Sequence, residues 1–335
     1  MPSNHPLTSW SGGFLALFSA PARQTYVGMY RPLAPRILTH KTSVPGRAPE
    51  PRFRLSTRRR NALELAPRII FASVAPEDPM ETRMLGRLWP VSVLTLGGGG
   101  VGQLWGPTTR DECIATVRTA VDCGITLLDM APAYGNGEAE RVVGAAFEGR
   151  LPAGIRVTTK HRLGTPPAGE VEGNIVRSLD ESLARMRLER VDLFFLHSNI
   201  IPDRYDASAY VDRPATRWKT YIERFIPVSE RLVADGRIGA WGITGIGIPE
   251  CIRAGLGELS RPAAVQCITN LIDSPGELKY FAGPSRAREI IVASKSGGAG
   301  VLGIRPVQGG ALTDTLDPVP DGCRARRPPR SCWRR

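Results

Sequence analysis

Between Met80 and Leu312 the hydrophobic positions alternate between two patterns: short runs that are apolar almost throughout, and longer stretches with apolar residues three and four apart. Val91 to Leu96 is strand-like and enters the glycine run Gly97 to Gly102. Thr109 and Glu112 stand at capping-box spacing, and the helix they start carries Ile114, Val117 and Val121 on one face. A second strand is expected over Ile125 to Met130, followed by a helix with Val142, Val143, Ala146 and Phe147. The third strand is Ile155 to Lys160, and the next helix places Ile175, Leu179, Leu183 and Met186 along one side. Val191 to Leu196 suits a strand buried on both faces. A helical stretch from about Trp218 closes at Asp235-Gly236, where glycine takes the left-handed conformation that ends helices. Strand five is Gly239 to Thr244, and Ile248-Pro249 opens a short helix. Strand six runs near Ala263 to Asn270, a helix ends near Ser296, and strand seven is Val301 to Val307.

Strands alternating with helices build a parallel sheet, and seven such repeats fit one α/β barrel of the TIM (β/α)8 type. Only 23 residues follow Leu312, too few for a buried strand and its covering helix, so the barrel is expected to lack its eighth β/α unit. Residues 1–79 hold 11 of the 29 prolines and no sustained period, which reads as a disordered Pro/Arg-rich extension. Residues 80–312 are then the barrel and 313–335 an unstructured basic tail. The apolar patch Phe14 to Phe18 ends in small residues, but no Lys or Arg precedes it, so it is not read as a secretory leader. Residues 1–60 carry nine arginines and one acid, Glu50, so an organelle transit peptide stands as the alternative to a cytoplasmic location.

Charge changes little in this picture. The net charge of +12 is concentrated at the two ends, +7 over residues 1–79 and +3 over 313–335, leaving +2 for the barrel. No clustered basic face for nucleic acid is therefore expected. No run of about 18 apolar residues marks a membrane span. The six cysteines lie far apart, without a C-x-x-C pair, so neither a metal site nor a redox dithiol is expected, and a reduced compartment fits.

Active sites of such barrels form at the C-terminal ends of the strands. Three consecutive strands end in ionisable groups: Asp129, Lys160 and His197, with Tyr134 five residues beyond Asp129. Singly, each has an ordinary explanation. Asp129 caps a loop, Lys160 points into water, His197 sits in a core, Tyr134 packs. As a set they suggest proton transfer. A phenol of ordinary pKa, about 10, is a poor acid unless a cation stabilises its anion. Lys160 supplies that cation, Asp129 holds the ammonium in place, and His197 donates a hydrogen bond to a carbonyl oxygen.

The stretch Gly124-Ile-Thr-Leu-Leu-Asp129-Met-Ala-Pro-Ala-Tyr134-Gly-Asn-Gly-Glu138-Ala-Glu140, with Gly144 beyond it, Val157-Thr-Thr-Lys160 and Val191-Asp-Leu-Phe-Phe-Leu-His197 together resemble the aldo-keto reductases. The likeness covers roughly residues 80 to 312. It implies a TIM barrel that reduces small aldehydes or ketones with NADPH or NADH. Tyr134 is then the general acid, Lys160 and Asp129 its tuning partners, and His197 the substrate-orienting donor. For the cofactor, the resemblance implies contacts from Gln266 and Asn270 on and just after strand six. It also implies one from Thr244, where Thr244-Gly245 replaces the family's usual Ser-Asn. Gly98 would lie in a loop beneath the cofactor, and Arg305 would face a phosphate. Trp105 would line the substrate pocket. The family's stacking aromatic on strand seven is absent from Gly303 to Val307, and no counterpart of its phosphate-binding eighth strand follows Leu312. Gly97 to Gly102 also satisfies G-x-G-x-x-G, but Gln103 to Pro107 separate it from the Thr109 cap, against a dinucleotide-binding βαβ unit. A silent barrel that binds nucleotide or a partner, and a truncated non-functional product, are the competing readings. Subunit number is not legible.

Overall fold

The structure, a computed structural model, describes residues 15–18, 79–104, 108–206, 214–257, 261–278, 281, 283–308 and 312. Its twelve strands in chain order are β1 Leu15–Phe18, β2 Thr82–Met84, β3 Pro90–Ser92, β4 Leu94–Gly97, β5 Leu127–Asp129, β6 Arg156–His161, β7 Val191–Leu196, β8 Asn199–Ile201, β9 Ala215–Arg217, β10 Ile238–Thr244, β11 Ala264–Ile268 and β12 Gly300–Ile304. The helices are α1 Gly98–Val101, α2 Arg110–Asp122, α3 Glu138–Phe147, α4 Val171–Met186, α5 Trp218–Thr220, α6 Ile226–Ala234, α7 Pro249–Gly257 and α8 Ala287–Ser296.

Eight parallel strands close into a ring in the order β1-β12-β11-β10-β7-β6-β5-β4. Seven of them are the strands read from the apolar runs. The eighth position is where expectation and structure part. The segment Leu15–Phe18, taken above as part of an unstructured extension, pairs through Leu15 with Leu302 of β12 and through Ala16 to Phe18 with Leu94 to Leu96 of β4. The expectation of a ring left open at strand eight is corrected accordingly. The physical reason is that β4 and β12 otherwise present unpaired N–H and C=O groups along two edges, and a short extended segment from anywhere in the chain satisfies them. The remaining residues of the two ends lie outside the described residues.

Smaller differences have local causes. The first apolar run splits at Val93: β3 turns back on β2 as an antiparallel hairpin, and only β4 enters the barrel. The hairpin brings Leu85 to the N-terminal end of the ring, where it packs with Leu127, Leu193, Phe195 and Leu302. These side chains are buried, a gain of roughly 2 kcal/mol each. Phe194 and Leu196 alternate with them and face the helices, in the larger core. The capping box forms as read, with Thr109 accepting from the Glu112 N–H and Glu112 from the Thr109 N–H. The long helix closing at Asp235 is interrupted by a π turn at Tyr221–Phe225. Pro227, without an N–H and crowding the carbonyl four residues before it, accounts for the widened turn. The glycine run does lead straight from β4 into a helical turn, contrary to expectation. That turn is four residues long and belongs to a closed ring, so it builds no βαβ dinucleotide unit.

Candidate active site

Asp129 is the last residue of β5, Lys160 lies one residue from the end of β6, and His197 directly follows β7. These strands are neighbours in the ring, so their C-terminal ends bring the three side chains to one place. Tyr134 follows β5 in a tight turn closed by Tyr134 N–H to Ala131 O (3.0 Å), and Ala139 N–H at the start of α3 donates back to Tyr134 O (3.2 Å). Two glycines permit the turn. A Cβ at Gly98 would stand 2.9 Å from Asp129 O, Met130 Sδ and Tyr134 Cδ2, and Gly135, at φ +65°, would place one 2.1 Å from Gly102 O.

The Lys160 ammonium is fully buried and makes three donor contacts, to Asp129 Oδ2 (2.7 Å), Met130 O (2.8 Å) and the Tyr134 hydroxyl (3.2 Å). It also lies 4.5 Å from the centroid of the Tyr134 ring. Asp129, 1% exposed, has its other oxygen satisfied by Thr158 Oγ1 and Gln266 Nε2, each at 2.7 Å. A buried charge pair persists only with its remaining lone pairs satisfied, and here they are. Thr158 and Lys160 share one face of β6. Thr159, on the other face, donates to Glu140 Oε1 (2.5 Å), and Glu140 pairs with Arg185 (2.5 Å), tying β6 to α3 and α4.

Protonation follows from burial and charge. Burial pushes the Tyr134 hydroxyl above the usual phenol range, outweighing the downward pull of Lys160. The net lowering expected from the sequence is thus corrected in sign, because the sequence names the cation but not the loss of solvent. Lys160 is itself held above its ordinary range, the Asp129 carboxylate and the Tyr134 hydroxyl prevailing over desolvation. His197 meets Tyr134 edge to face, centroids 6.0 Å apart at 82°. Burial first, then the charges of Lys160 and Arg162, hold its pKa well below 6.5, so the ring is neutral. Its Nδ1 has no hydrogen-bond partner among the described residues. Burial likewise pushes the Cys267 thiol up to about 12 and Cys251 to about 11, against a thiolate at either position.

His161 gives a stability prediction. His161 is lowered to about 4, chiefly by burial, whereas an unfolded chain binds its proton near 6.5. Below 6.5 the unfolded state therefore takes up protons that the fold refuses, and stability falls until about pH 4, where His161 titrates in the fold too. Thermal unfolding followed by circular dichroism is expected to show a falling midpoint across this window, with a shallower slope in His161→Gln. Equal slopes in the two proteins would refute the assignment.

Four of the cofactor candidates, Thr244, Gln266, Asn270 and Arg305, lie on or just after β10, β11 and β12, and the fifth, Gly98, follows β4. Gln266 reaches across the barrel to Asp129, leaving its Oε1 as the group available to a ligand. The Thr244 hydroxyl is buried and donates to Leu196 O (2.9 Å). Asn270 donates to Ser274 O (2.9 Å) and accepts from Ser274 N (3.0 Å), so its amide organises the loop after β11. Arg305, at φ +57°, is partly buried and held through Nε by Gln308 Oε1 (3.1 Å). Gly98 lies under Tyr134. Trp105 is outside the described residues. The sequence reading missed Thr158 and the Met130 carbonyl as partners of the pair. The Thr158-Thr159-Lys160 alternation carried a signal for the first, since a residue two before Lys160 shares its face. Among the described residues no group of His, Cys, Asp and Glu is placed to hold a metal ion.

A model of the "Aldo/keto reductase family" matches residues 93–331. The chain is 27% identical over 245 residues to L-galactose dehydrogenase of Arabidopsis thaliana, covering 71% of this chain and 69% of that one. It is 29% identical over 163 residues to an aldo-keto reductase of Bacillus subtilis, covering 44% of this chain and 41% of the relative. Among solved structures, the holo form of an aldo-keto reductase from Bacillus halodurans superposes with a TM-score of 0.54 at 25% identity, over 72% of this chain and 71% of the other.

Proposed function

The chain belongs to the aldo/keto reductase family, and from that premise we propose that it reduces the carbonyl of a small aldehyde or ketone with a nicotinamide cofactor, Tyr134 supplying the proton. The observation that carries this reading is the Lys160 ammonium, buried between the Asp129 carboxylate (2.7 Å) and the Tyr134 hydroxyl (3.2 Å). Burial raises the phenol's pKa above its usual value, so near neutral pH it is protonated and can donate. Lys160 stabilises the phenolate as the proton leaves, so its charge acts where charge develops rather than in the ground state. Asp129 keeps that ammonium charged and immobile. His197, neutral and with Nδ1 unpartnered, carries its proton most favourably on Nε2, because a buried acceptor left unpaired is tolerated better than a buried N–H. Nε2–H then donates to the same carbonyl oxygen and aims it at Tyr134.

The donor set on the opposite half of the ring fits a nicotinamide dinucleotide. Gln266 Oε1 suits a carboxamide N–H, Thr244 adds a hydroxyl oxygen, and the guanidinium N–H groups of Arg305 beyond Nε suit a phosphate. NADPH or NADH held there supplies the hydride. Asn270 contributes by fixing the loop that carries Arg305, to whose carbonyl its amide donates (3.4 Å). The structures similar to this chain include one from Klebsiella pneumoniae in complex with NADPH, a likeness of fold. Loss of reduced-nicotinamide absorbance in the presence of a panel of aldehydes and ketones is the expected result. Cofactor binding by fluorescence titration without turnover of any carbonyl would overturn the reading in favour of a silent nucleotide-binding barrel.

A further inference from the structure

Arg162 follows β6 directly, and its backbone is fixed from both sides. His161 O before it accepts from His197 N (2.7 Å), and Leu163 after it is buried in the core. Gly164 N donates to Ser198 Oγ (3.2 Å), and Gly164 O accepts from Thr216 Oγ1 (3.1 Å). The residue is thus stapled alongside the segment that begins at His197, at the mouth of the site, with its own side chain exposed. Neighbouring cations are engaged: Lys160 with Asp129, Arg156 with Asp192, Arg185 with Glu140. No ion pair with a described residue holds Arg162. Its charge nonetheless bears on both Tyr134 and His197.

Position in the ring says which ligand this cation faces. β6 and β12 stand four places apart in the eight-membered order, on opposite sides of the barrel. Arg305, the candidate for a cofactor phosphate, follows β12, and Arg162 follows β6 on the side of Tyr134 and His197. An anion beside Arg162 is therefore part of the carbonyl substrate, not a cofactor phosphate. On the carbonyl reductase reading above, on which this depends, we propose that Arg162 is a specificity-determining residue that selects carbonyl compounds carrying a carboxylate or similar anionic group. Its planar fork of donors suits two-point pairing with a carboxylate.

The test compares 4-carboxybenzaldehyde with methyl 4-formylbenzoate, which differ in charge and little in shape, using the full chain with NADPH. The wild type is expected to favour the acid in kcat/KM by about tenfold, the scale of one charge-assisted hydrogen bond at an exposed site, with the preference shrinking as salt rises. Arg162→Gln is expected to erase that preference through the KM of the acid, and Arg162→Lys to restore part of it. Reduction of the ester with an acid-to-ester ratio unchanged by Arg162→Gln would overturn the inference and leave the reductase reading standing. A change in NADPH affinity in Arg162→Gln, with the ratio intact, would also overturn it and place the cation on the cofactor. If a protein that binds NADPH reduces other carbonyls of the panel but neither of these aldehydes, the inference is overturned and the reductase reading stands; if it reduces none of them, both fall.

Discussion

Tyr134→Phe is expected to lower kcat for carbonyl reduction by roughly a hundred- to ten-thousand-fold, the usual worth of a positioned general acid, with cofactor affinity little changed. The substitution is informative because it removes so little else. The ring stays packed edge to face on His197 at 6.0 Å and beneath the Lys160 ammonium at 4.5 Å, contacts that need no hydroxyl. Only the donor bond from Lys160 at 3.2 Å is lost, and the ammonium keeps Asp129 and the Met130 carbonyl. A large fall in kcat therefore reports proton transfer, not a collapsed pocket. Steady-state kinetics with the best substrate, beside a fluorescence titration with NADPH, read the two effects separately. Activity within a few-fold of wild type would remove Tyr134 from the role of acid and leave the proton to solvent or His197.

How far the sequence shows this arrangement depends on the range over which each feature is determined. The capping box at Thr109 and Glu112 and the apolar runs of the ring strands are set by residues close in sequence, so they are legible. The ionisable residues ending β5, β6 and β7 are legible for the same reason, once a parallel barrel is inferred. Leu15–Phe18 as a ring strand is not, because its partners Leu94 to Leu96 and Leu302 lie far along the chain and nothing local points to them. The same holds for the pairing of β8 with β9 and for the bond from Gln266 to Asp129 across the barrel. The sign of the Tyr134 shift was illegible for a further reason. A neighbouring cation can be named from spacing, whereas the amount of water removed belongs to the whole fold.

The buried pair gives the largest expected effect on stability. Asp129→Leu and Lys160→Met are each expected to destabilise the fold by about 3–5 kcal/mol, since each leaves the opposite charge buried without its counter-ion. The losses differ in kind. Asp129 without Lys160 keeps Thr158 and Gln266 as donors, whereas Lys160 without Asp129 keeps the Met130 carbonyl and the Tyr134 hydroxyl as acceptors, and neither of these is charged. The double substitution buries two apolar side chains of similar size and no unpaired ion. It is therefore expected to be more stable than either single variant, with a coupling that urea unfolding of the four proteins measures directly. Single effects that add in the double variant would show that the two charges do not depend on each other, against the 2.7 Å contact. If the coupling is found and the double variant folds well yet does not turn over, stability is not what retains an ion pair at the end of β5 and β6. An apolar pair serves packing as well or better. What it does not provide is an ammonium 3.2 Å from the hydroxyl of Tyr134, and the carboxylate is what keeps that ammonium charged with no water around it.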